Sequence, residues 1–301
     1  MRILMTGGTG LIGRRLCAAL SKAGHQITVF SRHPESVKRL CGETINAIGS
    51  LDDYHADSVW DAIINLAGEP IVDQRWSARR KQVLRDSRIA LTDSLMEKVR
   101  AAKHPPSIFL SGSAIGVYGD TGDTEEIMLD ESAPAGKDFG AQLCVDWEAS
   151  AMQAAGMDMR VCILRTGLVL DSAGGVLKKM RLPFSLGLGS RIGHGRQWMS
   201  WIHISDYVAL VCRLLEDEQA RGVFNMVAPH PVRNIEFTRE LASALHRPAL
   251  LVAPAFVLQL ALGEMSVLLT GGQRVLPSKA QALSYTFQYP ELNVALRNLL
   301  G

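Results

Sequence analysis

Three glycines close to the N-terminus have the spacing of a turn that binds phosphate. Gly7, Gly10 and Gly13 follow a short apolar run at residues 3–5, and a helical pattern continues from them to Gly24. In such a strand, turn and helix, the glycines permit the tight turn, the approach of a pyrophosphate and the close packing of the helix. The free N–H groups and the positive dipole end of the helix then attract the phosphates. We predict a dinucleotide site, rather than a turn without a ligand, with contacts from Gly7, Thr9, Gly10, Leu11, Ile12 and Gly13.

The end of the second predicted strand indicates which dinucleotide binds. This strand, residues 26–31, begins two residues after Gly24. The residue that meets the adenosine ribose lies about 20 residues after the glycine turn, and an acid there would bind the ribose 2′-hydroxyl. Ser31 and Arg32 instead offer a hydroxyl and a cation, which suit a 2′-phosphate. We therefore predict NADP(H) rather than NAD(H), with a merely solvated Arg32 as the alternative.

The fourth predicted strand, residues 60–66, ends in small residues that let a ligand approach. Ligands of a parallel α/β sheet lie outside the carboxyl ends of its strands. We therefore predict that Leu66, Ala67 and Gly68 contact the cofactor. Glu69 is a charged residue at the same place, and we interpret it as a substrate-binding group; the alternative is a solvated loop acid.

Hydroxyl and charged side chains lie at the ends of the fifth and sixth predicted strands, residues 107–111 and 160–165. By the same rule they lie close to the nicotinamide. Ser111 and Arg165 are predicted to contact the cofactor. Ser113 is predicted to act in catalysis and Tyr118 to contact the substrate. The acidic, turn-rich segment 120–137 indicates a mobile loop.

Six basic residues lie between positions 75 and 88, against one acid. On a helix, Lys81, Arg85 and Arg88 share a face. This face is either simply solvated, or one end of it enters the cleft and meets phosphate or an anionic substrate. Arg88 is our candidate both for contact with the cofactor and for catalysis.

A glycine-rich irregular stretch at residues 187–198 is the candidate substrate loop. Long irregular loops in a compact domain are usually functional or disordered. We predict that the substrate is met by Arg191, His194, Arg196 and Trp198. His203, in a short strand at residues 201–204, is interpreted as structural rather than catalytic.

Repeated alternation of strands and helices predicts the fold that positions these residues. It indicates an α/β fold of the Rossmann type, a doubly wound parallel sheet with helices on both faces. Residues 1–170, completed by parts of 200–230, are predicted to form the dinucleotide-binding core. Residues 171–301 are predicted to form mainly a smaller C-terminal substrate lobe.

Bulk properties exclude several classes of protein. The net charge of +2 over 301 residues argues against nucleic acid or an anionic membrane as a partner. No signal peptide is visible, and the longest apolar stretch, residues 249–262, is too short to span a bilayer. Five cysteines without a CxxC pair favour thiols in a reducing cytosol over disulfides or a metal site. We expect a cytoplasmic monomer or homodimer that acts on a small molecule and binds no metal.

These motifs, with residues 117–119 and 201–206, resemble an extended short-chain dehydrogenase/reductase of the sugar-nucleotide epimerase type. The likeness covers essentially the whole chain. Residues 65–70, 75–76, 144–148 and 271–277 look like an atypical subgroup labelled epimerase family protein, whose substrates are unknown. The resemblance also implies an extra C-terminal segment of unknown role, here residues 248–299.

The resemblance implies a catalytic Ser, a Tyr acting as general acid or base, and a Lys four residues later that lowers the Tyr pKa and holds the nicotinamide ribose. Ser113 matches the Ser. The Lys position falls on Cys144 and the Tyr position on Gly140. If the register shifts by one, these positions fall on Leu143 and Phe139, so neither register restores the pair.

Arg88 stands where the family has an upstream Asn, and we expect it to replace the missing cation. A nearby positive charge lowers a thiol pKa, so Arg88 is expected to favour the thiolate of Cys144. The alternative is that Cys144 is a small buried hydrophobe and that Arg88 pairs with a surface acid.

Together these features predict an NADP(H)-dependent oxidoreductase or sugar-epimerase-like enzyme for a small polar, anionic substrate, working without the Tyr–Lys pair. The alternative is a non-catalytic NADP(H)-binding sensor or regulatory protein. A sensor needs no proton donor beside the nicotinamide, whereas an enzyme does.

Overall fold

A parallel sheet of seven strands lies at the centre of the chain, in a computed structural model that describes residues 1–122 and 127–301. The strands, in chain order, are β1 (Arg2–Thr6), β2 (Gln26–Phe30), β3 (Asn46–Ile48), β4 (Ala62–Asn65), β5 (Ile108–Ala114), β6 (Met128–Leu129), β7 (Arg160–Thr166), β8 (Leu168–Leu170), β9 (Ser190–Ile192), β10 (Trp198–Met199), β11 (Trp201–His203), β12 (Gly222–Met226), β13 (Val232–Arg233), β14 (Leu251–Ala253) and β15 (Arg274–Val275).

The order of strands across the sheet is β12-β7-β5-β4-β1-β2-β3, and all neighbours are parallel. The predicted α/β fold with a doubly wound parallel sheet is therefore confirmed. The chain order reverses between β1 and β4, which is the point where such sheets bind ligands. Thr6 pairs with Asn65, and Asn65 pairs with Ser111, so three polar side chains form a row at the carboxyl edge.

Helices cover both faces of the sheet and create two separate cores. Ile3 and Met5 of the first strand belong to one core, and Leu4, which points to the opposite face, belongs to the other. Among the described residues, no helix is long and apolar enough to cross a membrane. The helices are α1 (Leu11–Lys22), α2 (Val37–Cys41), α3 (Ala78–Arg85), α4 (Leu91–Ala101), α5 (Phe139–Met152), α6 (Gly175–Ser185), α7 (Ile204–Glu216), α8 (Asn234–Ala244), α9 (Ala255–Leu262), α10 (Val267–Thr270), α11 (Ser278–Ala282) and α12 (Leu292–Leu300).

One irregular turn changes the geometry of the basic segment. Residues Asp86–Ala90, between α3 and α4, form a π-helical turn. Such a turn inserts an extra residue into the helical repeat, so side chains after it point in a new direction. The prediction that Lys81, Arg85 and Arg88 share one face is therefore wrong. Lys81 pairs with Glu264 and Arg85 with Asp146, whereas Arg88 turns inward.

The C-terminal segment packs against the loops that follow β5. Strand β15 pairs in parallel with β6, which lies inside the predicted mobile loop 120–137; residues 123–126 of that loop lie outside the described residues. The Gln273 side chain donates to the Gly119 carbonyl at 2.6 Å. A Cβ on Gly272 would lie 2.5 Å from the Trp198 nitrogen, so only glycine fits between the two loops. The C-terminal segment is thus part of the cleft's framework.

Candidate active site

The glycine turn forms a cradle of backbone. Gly7 has a φ of +70°, and a Cβ there would lie 2.6 Å from the Leu66 carbonyl carbon. A Cβ on Gly13 would lie 2.3 Å from the Gly7 oxygen. Gly10 precedes α1 without a side-chain cap, so the first N–H groups of the helix, from Leu11 and Ile12, have no acceptor within it. These features fit a pyrophosphate, although the individual cofactor contacts, including Thr9, stay predictions.

Arg32 lies at the end of β2, where the adenosine ribose is expected. Its side chain is 80% exposed, and its Nη2 lies 3.0 Å from Oε1 of Glu69. The Ser31 hydroxyl accepts from the His33 N–H at 3.1 Å, so both groups predicted to hold the 2′-phosphate remain at the surface. Glu69 therefore lies at the adenosine end of the cleft. This position does not support its predicted contact with the substrate, because the substrate reacts at the nicotinamide end.

The loop after β4 is held by the π-helical turn. The Glu69 N–H donates to the Ser87 hydroxyl, and Arg88 donates to the Glu69 carbonyl, both at 3.0 Å. The Ala67 N–H donates to the Thr6 hydroxyl at 3.1 Å. A Cβ on Gly68 would lie 2.9 Å from the Arg88 guanidinium carbon, so the glycine makes room for this side chain.

Ser113 begins a buried polar network at the carboxyl ends of β5 and β7. Its hydroxyl donates to Oε1 of Glu148 at 2.6 Å. Arg165 donates to both oxygens of Glu148, each at 2.9 Å, and to the Tyr118 hydroxyl at 3.0 Å. Tyr118 in turn donates to the Asn225 side chain at 2.7 Å. We call Ser113, Tyr118, Glu148, Arg165 and Asn225 the buried polar network.

This network occupies several groups that were predicted to face ligands. The Tyr118 hydroxyl already donates to the Asp130 carbonyl and the Asn225 side chain, and burial raises its pKa, so this geometry does not support its predicted substrate contact. Arg165 is committed to Glu148 rather than open to the cofactor. Ser111 is completely buried and donates to the Gly112 carbonyl, so its hydroxyl does not reach the cleft either. Ser111 and Arg165 lie within β5 and β7, and Tyr118 lies in the short helical turn Ile115–Tyr118 that follows β5.

The thiolate predicted at Cys144 is not supported. Burial, with a smaller contribution from the negative charge of Glu148, raises the pKa of the Cys144 thiol to about 11. Arg88 acts in the predicted direction and lowers this pKa, but its effect is smaller than that of burial. Burial also lowers the pKa of Arg88, which nevertheless stays charged at neutral pH. Cys144 is therefore a neutral thiol, and its catalytic role loses its physical basis.

Arg88 lies close to the expected reacting end, and no acidic side chain among residues 1–122 and 127–301 pairs with it. Its guanidinium carbon is 5.4 Å from the centre of the Trp147 ring, and it donates to backbone carbonyls of Leu84 and Glu69. The structure thus brings Arg88, Cys144 and Ser113 to one side of the cleft, as the sequence analysis expected of their positions. Their roles stay predictions.

Of the four residues predicted to meet the substrate in the candidate substrate loop, only His194 lines a cavity. A cavity of about 260 Å³ is lined by His194 and Gln197 from this loop, by Asp120, and by residues of the C-terminal segment. Arg191 donates to the Gly193 carbonyl. The Trp198 ring lies under the Arg233 guanidinium at 3.8 Å. The cavity is not lined by Arg191, Arg196 or Trp198. The structure therefore does not bring these three side chains to a common substrate site.

Sequence reasoning missed Glu148 and Asn225, the two members of the network that orient the others. Glu148 stands one helical turn after Cys144, which was an available signal for a side chain on the same face of α5. Nothing in the sequence around Asn225 indicated a partner. His203, interpreted as structural, caps α7: its ring Nδ1 accepts from the Ser205 N–H at 3.0 Å.

Comparisons with known proteins agree with this geometry. The model of the NAD dependent epimerase/dehydratase family matches residues 3–226, and a domain of unknown function, DUF1731, matches residues 253–299. An epimerase family protein of Staphylococcus aureus strain MW2 is 35% identical over 297 residues, covering 99% of this chain and 98% of the relative. The chloroplastic SDR39U1 homolog of Arabidopsis thaliana, also an epimerase family protein, is 36% identical, covering 100% of this chain and 87% of the relative.

Solved structures show the same relationship. The human epimerase family protein SDR39U1 (isoform 2), solved with NADPH, superposes with a TM-score of 0.90 at 34% identity, covering 100% of this chain and 99% of the human one. UDP-glucuronic acid 4-epimerase from Bacillus cereus, at 18% identity and a TM-score of 0.78, shares the fold. The chain therefore belongs to the NAD dependent epimerase/dehydratase family.

Proposed function

We propose that this member of the epimerase/dehydratase family is an NADP(H)-dependent oxidoreductase, or a sugar-epimerase-like enzyme, that works without the Tyr–Lys pair. The observation that carries the proposal is the Ser113 hydroxyl, whose proton is directed at the Glu148 carboxylate beside the expected nicotinamide position. The NADPH bound by the human relative supports the choice of cofactor.

Residues of this chain fit each part of the cofactor. The unpaired N–H groups at the beginning of α1 would hold the pyrophosphate, and Arg32 would hold the 2′-phosphate. The nicotinamide, when bound, supplies hydride chemistry. Arg88 would leave a positive charge close to the reacting end, in place of the absent lysine.

The buried polar network fixes the direction in which Ser113 can work. Both oxygens of Glu148 accept from Arg165, so the carboxylate acts only as an acceptor and Ser113 must be the donor. The serine oxygen then offers only lone pairs to a substrate. A substrate hydroxyl can donate to that oxygen and pass its proton to Ser113 while the serine proton moves to Glu148. We therefore expect an alcohol to bind more productively than a carbonyl.

The substrate we propose is small and polar, without the negative charge expected from the sequence. The cavity beside the candidate substrate loop is lined by the carboxylate of Asp120 and by neutral polar groups such as Gln259 and Thr270; no lysine or arginine is among its described lining residues. A carboxylate in the wall favours a ligand that donates hydrogen bonds, such as a polyol. A monomeric or homodimeric protein in the cytoplasm, with no nucleic acid or membrane partner, completes the proposal.

The Ser113→Ala variant tests this function. It removes the hydroxyl but leaves the pair of Glu148 and Arg165 intact. We expect NADPH affinity to stay within about twofold, while oxidation of secondary alcohols with NADP⁺ falls by about 10²–10⁴-fold, as for loss of a general base. The matched control is Asp146→Asn, which changes a carboxylate on the same helix as Glu148 that pairs with Arg85 instead. This variant should keep full activity.

UDP-glucose is the counter-test in the same assay. We expect little or no epimerisation of it, because the Tyr–Lys pair is absent. Robust epimerisation, or alcohol oxidation that survives loss of the Ser113 hydroxyl, would show that the catalytic groups lie elsewhere.

One observation favours the second candidate, a non-catalytic NADP(H) sensor. Neither register of the resemblance places a Tyr–Lys pair in α5, and Cys144, one of the two candidates for the Lys position, is a buried, neutral thiol, so the usual proton donor is missing. A sensor would bind NADPH and NADP⁺ with different affinities and would turn over none of the alcohols or the matching carbonyls. Measurable turnover that depends on Ser113 decides for the enzyme.

A further inference from the structure

We propose that Glu69 limits the preference for NADP(H) over NAD(H), by competing with the 2′-phosphate for Arg32 and by offering NAD(H) an acceptor for the ribose hydroxyl. The proposal rests on the proposed cofactor site. In dinucleotide-binding folds of this type, the acid that accepts from the ribose 2′-hydroxyl normally lies at the end of β2. Here we assign that role to Glu69, in the loop after β4. At that end this chain has Ser31 and Arg32 instead of an acid.

The Glu69 side chain is held in place from its own side of the cleft. Its Oε2 lies 3.5 Å from Nη1 of Arg80, whose side chain is only 10% exposed. Ser87 and Arg88 bind the Glu69 backbone N–H and carbonyl. Glu69 itself is 25% exposed. The carboxylate is therefore a fixed feature of the cleft wall.

Arg32 is the movable partner of the pair. Its side chain is 80% exposed, and its Nη2 donates to Oε1 of Glu69 across the cleft at 3.0 Å. Ion pairs as exposed as this contribute little to stability, so a phosphate can replace the carboxylate as the partner of Arg32. The replacement still places a dianionic phosphate close to the negative charge of Glu69.

The two dinucleotides meet this arrangement differently. NADPH gains the Arg32 cation but meets the Glu69 carboxylate, whereas NADH lacks the phosphate and can donate its 2′-hydroxyl to that carboxylate. Arg80 also pairs with Glu69 and partly neutralises its charge, so the exposed Arg32 cation still favours the phosphate. Glu69 thus reduces the preference for NADP(H) without reversing it.

Titration of the full-length protein with NADPH and with NADH, followed by calorimetry, tests the proposal. In Glu69→Gln we expect NADPH to bind about threefold tighter and NADH about threefold weaker, because the charge is lost and an amide is a weaker acceptor; the ratio of the two dissociation constants then grows about tenfold. A misfolded variant would weaken both nucleotides, so effects of opposite sign exclude that cause. Glu264→Gln, which removes the carboxylate paired with Lys81 and leaves Glu69 and Arg32 in place, should leave the ratio unchanged.

A second variant covers the case in which the protein folds only when the buried Arg80 has a negatively charged neighbour. Glu69→Asp keeps the charge beside Arg80 but shortens its reach to Arg32, and should raise the ratio by a smaller factor. A ratio that stays within about twofold of wild type in both variants, or that falls, overturns the proposal for Glu69. A wild-type protein that binds neither nucleotide overturns the proposed function instead.

Discussion

The adenosine end and the reacting end of the cleft are built in opposite ways. The adenosine end consists of the glycine turn, which offers backbone N–H groups without an acceptor in the helix, and of Arg32, which is 80% exposed. The reacting end consists of the buried polar network, in which the side chains of Glu148 and Arg165 are 13% and 11% exposed. At the first end, binding can change without loss of stability. At the second, the groups that would do chemistry also hold the fold.

Arg165→Met should have the largest effect on the free energy of unfolding. It should disrupt the buried polar network at the reacting end and leave the adenosine end unchanged. It leaves the Glu148 carboxylate buried without its cation, which costs about 3–5 kcal/mol of the free energy of unfolding. Urea denaturation measures this loss. Arg213→Met removes a pair with Asp217 in which the arginine side chain is 52% exposed, and should cost about 0–1 kcal/mol.

The folded fraction of Arg165→Met should still bind NADPH with near wild-type affinity, because the glycine turn lies elsewhere. A double variant, Arg165→Met with Glu148→Leu, should recover much of the stability, since it removes both charges. A single variant that loses less than about 1 kcal/mol would contradict the account of a tightly coupled network.

This difference also explains what the sequence could predict. The glycine turn is local: its residues lie within seven positions of one another, and each glycine has its own steric reason. The network joins residues far apart, with Ser113 and Glu148 separated by 35 positions and Tyr118 and Asn225 by 107. The packing of β5, β7, β12 and α5 brings them together, and residue patterns in a single sequence do not reveal such long-range packing.

The π-helical turn is a second feature that the pattern of residues did not reveal. Regular helical spacing predicted that Arg88 follows Lys81 and Arg85 on one solvated or cleft-facing side. One inserted residue at Asp86–Ala90 redirects Arg88 toward Gly68 and Trp147. Its predicted contact with the cofactor and its catalytic role stay predictions.

Arg32→Ala should have the next largest effect, a loss of NADPH affinity. It should change the adenosine end and leave the buried polar network intact. A charged contact to the 2′-phosphate is worth about 1.5–3 kcal/mol, so NADPH affinity should fall about tenfold or more while NADH affinity changes little. Thermal unfolding without nucleotide should stay unchanged, because the side chain is exposed. Arg100→Ala, which removes an exposed contact with Gln153, is the control. Equal affinity of the wild type for NADPH and NADH would contradict the assignment of Arg32.

Cysteine alkylation gives the smallest and most local test of the reacting end. The thiolate is the reactive form, and Cys144, with a pKa of about 11, holds its proton at neutral pH. We expect iodoacetamide to modify the half-buried Cys212 first, and Cys144 only as the pH approaches 11 or the protein unfolds. Peptide mass spectrometry reads both sites.

Arg88→Met sharpens this test through the sign of its effect. Because Arg88 lowers the thiol pKa, its removal should raise that pKa further and slow modification at any given pH. Modification of Cys144 before Cys212 at neutral pH would restore the thiolate hypothesis.

A crystal structure of the protein with NADP⁺ tests the central claim most directly, since it reports on both ends of the cleft at once. The account predicts the pyrophosphate on the N–H groups of Leu11 and Ile12, the 2′-phosphate on Arg32, and C4 of the nicotinamide facing the Ser113 hydroxyl. A nicotinamide turned away from Ser113, or a 2′-phosphate without contact to Arg32, would contradict it.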